Sequence, residues 1–575
     1  MRLRIGTNKD GSQNFYVLKS FRDETGKSTT KVVERLGSYD ALLKEHSDPV
    51  AWAKEYVAQL NQKEKDAQMN ISVPFSPSAV IEKDTPLLFD GGYLFLQKLF
   101  YRLHLDYICR KISEKYDFEY NLTEILAHLV YGRILFPMSK MNTYEHCQSF
   151  LEKPSYSLQD VYRALEIIAK EKDYIQSSLY KFSRGMGKRN DRILYYDCTN
   201  YYFEIEQESG IRKYGPSKEH RPNPIVEMGM FMDGDGIPLA FCLHSGNTNE
   251  QQTMKPLEEQ ILQDFEHSRF IVCTDAGLSS MANRKFNNTA NRAFITAQSI
   301  KKMKGFQREW ALSPKGWHLA GTRGTFDLES ILKEDSLCEK YRNSVFYKEE
   351  WFNENDIEQR YIVTFSLKYR DYLREIRNEQ ISRAKEALKS PENQERTRQT
   401  DYKRFITRTA VTEEGEVADK KVYTLNEKKI REEEMYDGFY AVATNLEDAP
   451  EQILQINRNR WEIEESFRIM KSEFKARPVF LHRDDRITAH FTTCFLALVI
   501  LRYLEKSMEN HYTCSEILTE LRSIKLRKVK NEGYIPAYTR TDLTDDLHQA
   551  FGFRTDYEII PKAKIREIIS FTKKR

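Results

Sequence analysis

The chain has 575 residues, more than a single hydrophobic core usually supports, so several domains are expected. Hydrophobic residues make up 40% and charged residues 30% of the sequence, as in soluble globular proteins with long solvated helices. The net charge of +3, from 89 basic and 86 acidic side chains, neither requires nor excludes a nucleic-acid partner.

The cysteine pattern and the apolar segments indicate a protein of a reducing compartment. The eight cysteines are scattered without a C-x-x-C pair, which argues against a disulfide framework or a zinc site. The start, MRLRIGTNKDGSQ, lacks the apolar segment of a signal peptide. The longest apolar run, CFLALVILRYL, is interrupted by Arg502 and is too short to span a bilayer. We therefore expect a cytoplasmic protein without a membrane partner.

The N-terminal segment predicts a β-hairpin followed by a helix. Residues 14–21 and 31–36 alternate apolar and polar side chains around the glycine-bearing turn DETGKST, and residues 40–70 have a charged helical pattern. The following NISVPFSPSA contains two prolines and is typical of a linker.

A helical region then gives way to strands. Between residues 86 and 188 the apolar positions recur at helical spacing, as in LTEILAHLVYGRIL, which predicts an all-helical module. RILYYDCTNYYFEIE at 192–206, NPIVEMGMFMD and PLAFCLHS are rich in β-branched and aromatic residues, and a GDGI turn joins the last two. A helix, a buried strand at 269–276, another helix and a strand at 292–299 complete the pattern of a mixed α/β sheet.

Residues 301–436 interrupt this rhythm and predict an inserted α+β subdomain. They are rich in charge, and the strand candidates RYIVTFSL and KKVYTL flank a basic helix at 367–389. The sheet pattern resumes in DGFYAVATN, and two long helices are expected at 449–475 and 486–508. A histidine inside the apolar helix AHFTTCFLALVI is expected to be a core residue rather than a metal ligand.

The first of these two helices contains RWEIEESFRIMK, with three glutamates within four positions. At helical spacing, Glu464 lies at the edge of the apolar stripe beside Arg460 and Lys471, whereas Glu462 and Glu465 should be solvated. A carboxylate at a core boundary needs a cationic partner. That partner is either Arg460, in an i,i+4 salt bridge, or a bound metal ion.

Two aspartates end apolar runs in the central region and are expected in the C-terminal part of a buried strand. Asp197 follows ILYY and Asp275 follows FIVCT. Each alone is more often a turn or cap residue than a ligand. Together with Glu464, they supply three oxygen ligands of the kind that suits Mg²⁺ or Mn²⁺. A pair of such ions can activate the attacking oxygen and stabilise the leaving oxygen in phosphodiester cleavage.

The spacing of these residues resembles that of the DDE transposases of bacterial insertion sequences, in the branch with a Y-x2-R-x3-E-x6-K signature. Asn457, Arg460, Glu464 and Lys471 match this spacing, with asparagine in place of the tyrosine. Further similarity lies in YYDCTNYYFE, VCTDAGLSS, RILFPMSK, YGPSKEHRPNP, SGNTNE, DGFYAVATN and RPVFLHRDDRITAHF.

The resemblance implies an α/β fold with an RNase H-like mixed sheet and flanking helices. This catalytic domain would be interrupted by the inserted α+β subdomain and preceded by the β-hairpin and the all-helical module, both contacting the element's DNA ends. The expected division is 1–72 (hairpin and helix), 86–188 (helical module), 189–300 with 437–510 (catalytic domain), 301–436 (insertion) and 511–575 (helical tail).

The resemblance also implies the roles of individual residues. Asp197, Asp275 and Glu464 would be the catalytic residues and would bind divalent metal, Mg²⁺ or Mn²⁺, as two ions. Trp461 would either pack at the rim of the helix or stack on an unpaired base. The expected DNA-binding residues are Arg460, Lys471, Asn457, Trp461, Lys218, His220 and Arg221.

The expected activity is metal-dependent cleavage and strand transfer at terminal inverted repeats. Its partners would be double-stranded DNA at the transposon ends and target DNA, bound by a homodimer or a higher multimer on the bacterial nucleoid. Two other classes stay open: an RNase H-like structure-specific nuclease without strand transfer, and a catalytically silent DNA-binding protein. The large insertion and the N-terminal modules disfavour the first, and the presence of all three acids disfavours the second.

Overall fold

The computed structural model describes residues 1–8, 11–22, 28–68, 76–78, 80–389, 401–411, 417–530 and 532–575. Most of the predicted linker NISVPFSPSA, and the first five residues of the predicted turn DETGKST, lie outside these ranges. Two compact units are formed. The first is Met1–Thr85 with Val529–Tyr534, and the second is Pro86–Lys528 with Ile535–Arg575.

The strands of the described residues are β1 (Arg2–Thr7), β2 (Gln13–Arg22), β3 (Ser28–Ser38), β4 (Leu88–Asp90), β5 (Ile193–Tyr202), β6 (Ile225–Asp233), β7 (Pro238–Ser245), β8 (Phe270–Thr274), β9 (Arg292–Ala297), β10 (His318–Leu319), β11 (Val345–Glu354), β12 (Ile357–Ser366), β13 (Ile406–Val411), β14 (Val417–Leu425), β15 (Phe439–Thr444), β16 (Lys525–Val529), β17 (Gly533–Pro536) and β18 (Ile560–Pro561).

The α-helices are α1 (Tyr39–Leu43), α2 (Pro49–Gln68), α3 (Tyr93–Arg102), α4 (Leu105–Ser113), α5 (Leu122–Leu135), α6 (Lys140–His146), α7 (Leu158–Lys170), α8 (Lys172–Ser183), α9 (Met254–Asp264), α10 (Met281–Phe286), α11 (Gly305–Leu312), α12 (Leu328–Lys333), α13 (Asp335–Lys340), α14 (Leu367–Ala387), α15 (Glu427–Glu434), α16 (Pro450–Arg458), α17 (Trp461–Ser472), α18 (Asp484–Ser507), α19 (Cys514–Ser523), α20 (Asp542–Phe551) and α21 (Lys562–Thr572).

The first unit is a three-stranded antiparallel sheet with two helices. β2 pairs with both β1 and β3, as the hairpin prediction requires for β2 and β3. Phe15, Leu42 and Ala53 bring one strand and both helices into a small buried cluster. This cluster explains why α2 can carry so many charged residues on its remaining surface.

The second unit is built on a nine-stranded mixed sheet in the order β10-β11-β12-β15-β9-β8-β5-β6-β7. β5, β6 and β7 form an antiparallel meander, β5 runs parallel to β8, and β8 runs parallel to β9. β15 and β12 continue the sheet with antiparallel pairs. The mixed α/β sheet expected from the alternating strand and helix patterns is therefore present.

The predicted insertion does not stand apart from this sheet. β11 and β12, which fall within residues 301–436, extend the sheet because β12 pairs with β15 along Arg360–Phe365. Only the β13–β14 ribbon pairs separately, among the strands described in this segment. The charge-rich composition of the segment did not reveal this continuity, although β12 is buried along most of its length, whereas β11 is solvated over its second half.

α18 is the central helix of the second unit. By length and composition it is apolar enough to cross a membrane, but 89% of its most apolar window is buried inside the protein. His490 in this helix is buried and hydrogen-bonds through Nε2 to the carbonyl of Ala476 (3.1 Å), so its interpretation as a core residue is confirmed. Burial also keeps the pKa of His490 well below its ordinary value, so the ring is neutral.

A buried glutamate in α9 gives a pH-dependent stability. Glu258 is fully buried, accepts one hydrogen bond from Asn287 (2.8 Å) and leaves its other oxygen without a partner among the described residues. Burial raises the pKa of this carboxyl to about 8. The folded protein therefore keeps a proton that the unfolded chain releases, so the free energy of unfolding should fall as pH rises from about 4.5 to about 8.

Glu258→Gln should remove that slope and stabilise the protein at pH 8.5 by on the order of a few kcal/mol. Urea unfolding at pH 5 and pH 8.5 measures the difference. Glu259→Gln, at an exposed neighbour paired with Lys255, is the control and should leave the slope intact. Equal slopes in the Glu258→Gln variant and the parent would contradict the assignment.

Candidate active site

β5 places alternate side chains on opposite faces of the sheet. Tyr196 and Cys198 join the apolar core beneath α9. Tyr195 faces the other side, where its hydroxyl donates a hydrogen bond to the carbonyl of Ile456 in α16 (3.0 Å). Asp197 is two residues beyond Tyr195, and its carboxylate therefore lies on the side of α16 and α17.

Asp275 comes to the same level on the neighbouring strand. β5 and β8 are parallel, and Tyr195 lies opposite Cys273. Asp197 and Asp275 are each two residues further along, so both carboxylates share one face of adjacent strands. Burial raises the pKa of Asp197 to about 6, and the charge of Asp275 adds to this rise, while Lys218 and Arg460 oppose it.

Each aspartate uses one oxygen for a backbone contact. Asp197 Oδ1 accepts a hydrogen bond from the amide of Cys198 (2.8 Å), and Asp275 Oδ1 accepts from the amides of Gly277 (2.9 Å) and Leu278 (3.0 Å). The Oδ2 atoms of both aspartates receive no hydrogen bond from the described residues. Two carboxylates that repel each other, each with an oxygen to spare, are a suitable donor pair for a hard cation.

Glu464 approaches this pair from α17 but is held by an arginine. Its side chain is 57% exposed, and its Oε1 pairs with Arg460 at 3.1 Å. Arg460 in turn acts on Asp197, whose pKa it lowers. Glu464 and Asp197 therefore both interact with one cation, the Arg460 guanidinium, and Asp275 is linked to this group through Asp197. The carboxylate oxygens of Asp197, Asp275 and Glu464 do not all lie within 4.8 Å of one another. Among the described residues, the ligand atoms of Asp545, His548 and Asp556 do.

The exposure of the three glutamates differs from the expectation. Glu464 is exposed rather than at the core boundary, whereas Glu462 and Glu465, both predicted to be solvated, are half-buried. Burial raises the pKa of Glu462. The reason is that α17 packs against both β5 and α18, so Ser466 and Ile469 are buried as well. This second contact widens the buried face until it includes Glu462.

The expected long helix at 449–475 is also divided. α16 ends at Arg458 and α17 begins at Trp461, and the amide of Ile463 bonds to the carbonyl of Arg460 instead of continuing the α16 ladder. Arg460 thus lies at the junction of two helices. From this junction its guanidinium pairs with Glu464 and acts on the charge of Asp197.

Comparison with known proteins assigns the family. Residues 206–500, half of the chain, match the family described as Transposase DDE domain. The chain is a DDE-type transposase. Asp275 and Glu464 lie within the matched range, and Asp197 lies just before it. No curated protein matches the chain.

One similar solved structure is a cryo-EM structure of the piggyBac transposase synaptic complex with hairpin DNA. The two sequences are 9% identical, the match covers 84% of this chain and 85% of the piggyBac chain, and the TM-score is 0.36. A similarity at this level does not distinguish one fold from another.

Membership of the family implies that the transposase uses a divalent metal ion. The aspartate pair fits such an ion, because the spare oxygens of Asp197 and Asp275 are hard ligands, and the pKa of Asp197 is raised by burial and by the charge of Asp275. Glu464 fits as a third ligand only after it exchanges Arg460 for the ion.

Two lysines of the transposase contact β5 directly after Asp197. Lys218 Nζ donates to the carbonyl of Cys198 (2.5 Å), and Lys471 Nζ donates to the hydroxyl of Thr199 (2.6 Å). Burial lowers the pKa of Lys471 to about 8, and the nearby charge of Lys218 lowers it further. Lys218 also pairs with Glu250 (2.9 Å) and Lys471 lies 3.6 Å from Glu219, so a phosphate group bound between the lysines would take the place of these carboxylates.

The other predicted DNA-binding residues occupy different surroundings. Asn457 is buried and donates a hydrogen bond to the hydroxyl of Tyr440 (3.0 Å), so it is not displayed on the surface as a DNA contact requires. Trp461 is 58% exposed and lies off the apolar stripe, as expected. His220 and Arg221 are exposed on the loop after β5, and Arg221 lies over the ring of Tyr202 at 4.4 Å.

This loop borders a cavity of about 950 Å³, lined by Lys218, His220 and Arg221 and reaching Gly277, whose amide bonds to Asp275. The sequence analysis missed Glu227, which lines the same cavity with a buried carboxylate. Burial raises its pKa to about 7, and the nearby charge of Glu250 adds to the rise. A charged residue inside the otherwise apolar strand NPIVEMGMFMD was the available signal.

Proposed function

We propose that this transposase cleaves DNA at the terminal inverted repeats of a bacterial insertion sequence and joins the ends to target DNA. The observation that carries the proposal is the position of Asp197 and Asp275, side by side on parallel strands, facing the helix that bears Glu464. Paired carboxylates in this arrangement suit metal-dependent phosphodiester hydrolysis and transesterification.

The strand order supports an RNase H-like catalytic domain. In the order β7-β6-β5-β8-β9, three antiparallel strands are followed by two that run parallel to β5. The two aspartates lie on the central strand and on its parallel neighbour. In this arrangement β15, α16 and α17 close the face on which the acids lie, and residues 301–436 interrupt the fold before β15.

Asp197, Asp275 and Glu464 would hold two divalent ions, Mg²⁺ or Mn²⁺. When bound, such ions activate the attacking oxygen and stabilise the leaving oxygen. The residues of the chain then have separate tasks. Arg460 holds Glu464 until DNA and metal bind, and afterwards its guanidinium is available for a phosphate. Lys471 and Lys218 hold the phosphate on the side of Thr199.

The signature Y-x2-R-x3-E-x6-K supports the insertion-sequence branch at three of its four positions. The fourth, Asn457, bonds to the phenol of Tyr440 on the adjacent strand β15. We propose that Tyr440 supplies the phenol at this site, with Asn457 as its support. Burial raises the pKa of this phenol and the charge of Arg460 opposes the rise, so Tyr440 lies near a second residue of the signature.

The remaining parts of the proposal concern partners. The hairpin and helix of residues 1–72 and the helices of residues 86–188 would bind the ends of the element, in a homodimer or a higher multimer that holds two ends together. His220, Arg221 and Trp461 are exposed and available for the backbone or for an unpaired base. The protein would act in the bacterial cytoplasm, on the nucleoid.

A cleavage assay tests the proposal. We expect the purified protein, with Mg²⁺ and duplex DNA carrying the inverted repeats that flank its gene, to cut at the repeat ends and to join them to a target plasmid. Chelation with EDTA should abolish both products, and Mn²⁺ should restore them. Cutting without joining would instead indicate a nuclease. Repeat-specific binding without cutting would indicate a silent DNA-binding protein.

A further inference from the structure

Two of the segments that resemble the family meet at a second cavity. RILFPMSK begins at Arg133 and ends at Lys140, and RPVFLHRDDRITAHF begins at Arg477. Together they line a cavity of about 300 Å³ near the C-terminal end of α17, where Lys475 also contributes. Of the described residues that line this cavity, none is acidic.

Lys140 is the least expected of these cations. The residue is only 5% exposed, and its ammonium group forms no hydrogen bond or ion pair with any described residue. Burial lowers the pKa of Lys140 to about 7, and the charge of Arg133 contributes. A buried ammonium without an anion is costly, and a methionine of similar length would avoid that cost. Its presence therefore indicates a ligand that is negatively charged.

Arg133 is equally buried and is fixed in place without being neutralised. Its guanidinium donates to the carbonyls of Phe474 (2.9 Å) and Met138 (3.1 Å), which orient it but carry no net charge. Its Nε has no partner among the described residues. The neutral ring of His490 lies on the same wall and supplies no negative charge. The cavity therefore contains two buried cations without a counter-ion.

The mouth of the cavity has features that suit a nucleotide chain. Phe480 is 63% exposed, and Tyr162 lines the wall with Arg486 over its ring at 5.0 Å. Aromatic side chains next to cations are the usual surroundings of a sugar-phosphate backbone with partly unstacked bases. A free inorganic anion would need the cations but would gain nothing from these rings.

The cavity also communicates with the candidate active site. Arg477 forms an ion pair with Glu219, and the same carboxylate lies 3.6 Å from Lys471. Lys471 contacts Thr199, two residues after Asp197. Glu219 thus contacts both Arg477 in the wall of the cavity and Lys471 near Asp197. A DNA strand that passes the acids would therefore continue along this wall.

We propose that Lys140 and Arg133 bind a backbone phosphate of the DNA substrate in this cavity, with Tyr162 and Phe480 against the adjoining nucleoside. The inference rests on the proposed DNA cleavage but assigns a separate contact outside the acidic site. It also explains why the cations are buried, because a phosphodiester enclosed by protein is neutralised more strongly than one at the surface.

Lys140→Met tests the proposal, since it removes the charge and keeps the volume. A purely structural lysine without partners predicts a higher melting temperature and no other change. A phosphate site predicts the higher melting temperature together with three losses. Stabilisation by inorganic phosphate should disappear, repeat-DNA affinity should fall several-fold, and the salt dependence of log K should decrease by about one unit.

Lys348→Met is the matched control, because Lys348 is also buried but donates to the carbonyl of Ser313 (2.9 Å). It should lower the melting temperature and leave the phosphate response and the salt dependence unchanged. If Lys140→Met loses the phosphate response but binds DNA normally, the site holds a free anion and the DNA assignment is wrong. If Lys140→Met keeps both responses, the site does not exist.

These outcomes distinguish a failure of the phosphate site from a failure of the proposed function. If the parent protein failed to cut DNA while Lys140→Met still lost the stabilisation by phosphate, that result would contradict the transposition proposal alone. Normal cutting and normal DNA binding by Lys140→Met would contradict only the phosphate site.

Discussion

Asp197→Asn is expected to reduce DNA cleavage roughly 10³-fold or more, because a metal ligand contributes several kcal/mol of transition-state stabilisation and each tenfold in rate corresponds to about 1.4 kcal/mol. Binding of repeat DNA should stay within a few-fold of the parent, since the basic residues are unchanged. A gel-based cleavage assay at saturating DNA, together with a binding assay in EDTA, measures the two effects.

The stability of this variant provides an independent readout. In the metal-free protein the Asp197 carboxylate lies near Asp275 and its pKa is raised mainly by burial, so a neutral amide should raise the melting temperature. Mg²⁺ should stabilise the parent protein and have little effect on Asp197→Asn. Cleavage that survives the substitution, or equal stabilisation of both proteins by Mg²⁺, would contradict the assignment of Asp197 as a ligand.

The three glutamates of α17 are expected to respond differently to the same substitution. Glu464→Gln should reduce cleavage by roughly 10³-fold, as for a lost metal ligand, with little change in stability because an exposed ion pair contributes about 0–1 kcal/mol. Glu465→Gln removes only a surface pair with Arg468 and should leave cleavage intact. Glu462→Gln should leave cleavage intact and increase stability, because burial raises the pKa of Glu462.

This set separates a catalytic role from a general effect of the helix. All three variants change one glutamate near the N-terminal end of α17 to the same residue, so loss of helix structure would affect them alike. Cleavage rates and melting temperatures are measured for each under the same metal and DNA concentrations. If Glu465→Gln or Glu462→Gln lost as much activity as Glu464→Gln, the position of Glu464 beside Arg460 would not explain catalysis.

The sequence by itself determined the elements and the residue types of the site. The period of the apolar residues predicted β5, β8, β9 and the helical region before them, because burial on one face or both faces leaves a pattern at spacing two or 3.6. Asp197 and Asp275 were recognisable because each is a charged residue directly after an apolar run, although Asp197 lies in the middle of β5 and only Asp275 follows the end of its strand. The spacing of Arg460, Glu464 and Lys471 supplied the family resemblance.

The tertiary structure decided how these elements combine. Strand pairing between β12 and β15 joins the predicted insertion to the main sheet, and no local pattern encodes partners as distant in sequence as Phe365 and Phe439. The exposure of Glu462 and Glu464 depends on β5 and α18, which both pack against α17. The sequence of one helix indicates only its most apolar stripe. The parallel register of β5 and β8, which sets Asp197 beside Asp275, and the cavity around Lys140 arise because segments distant in sequence pack together. Burial and charge at such sites are properties of that packing, not of any one segment.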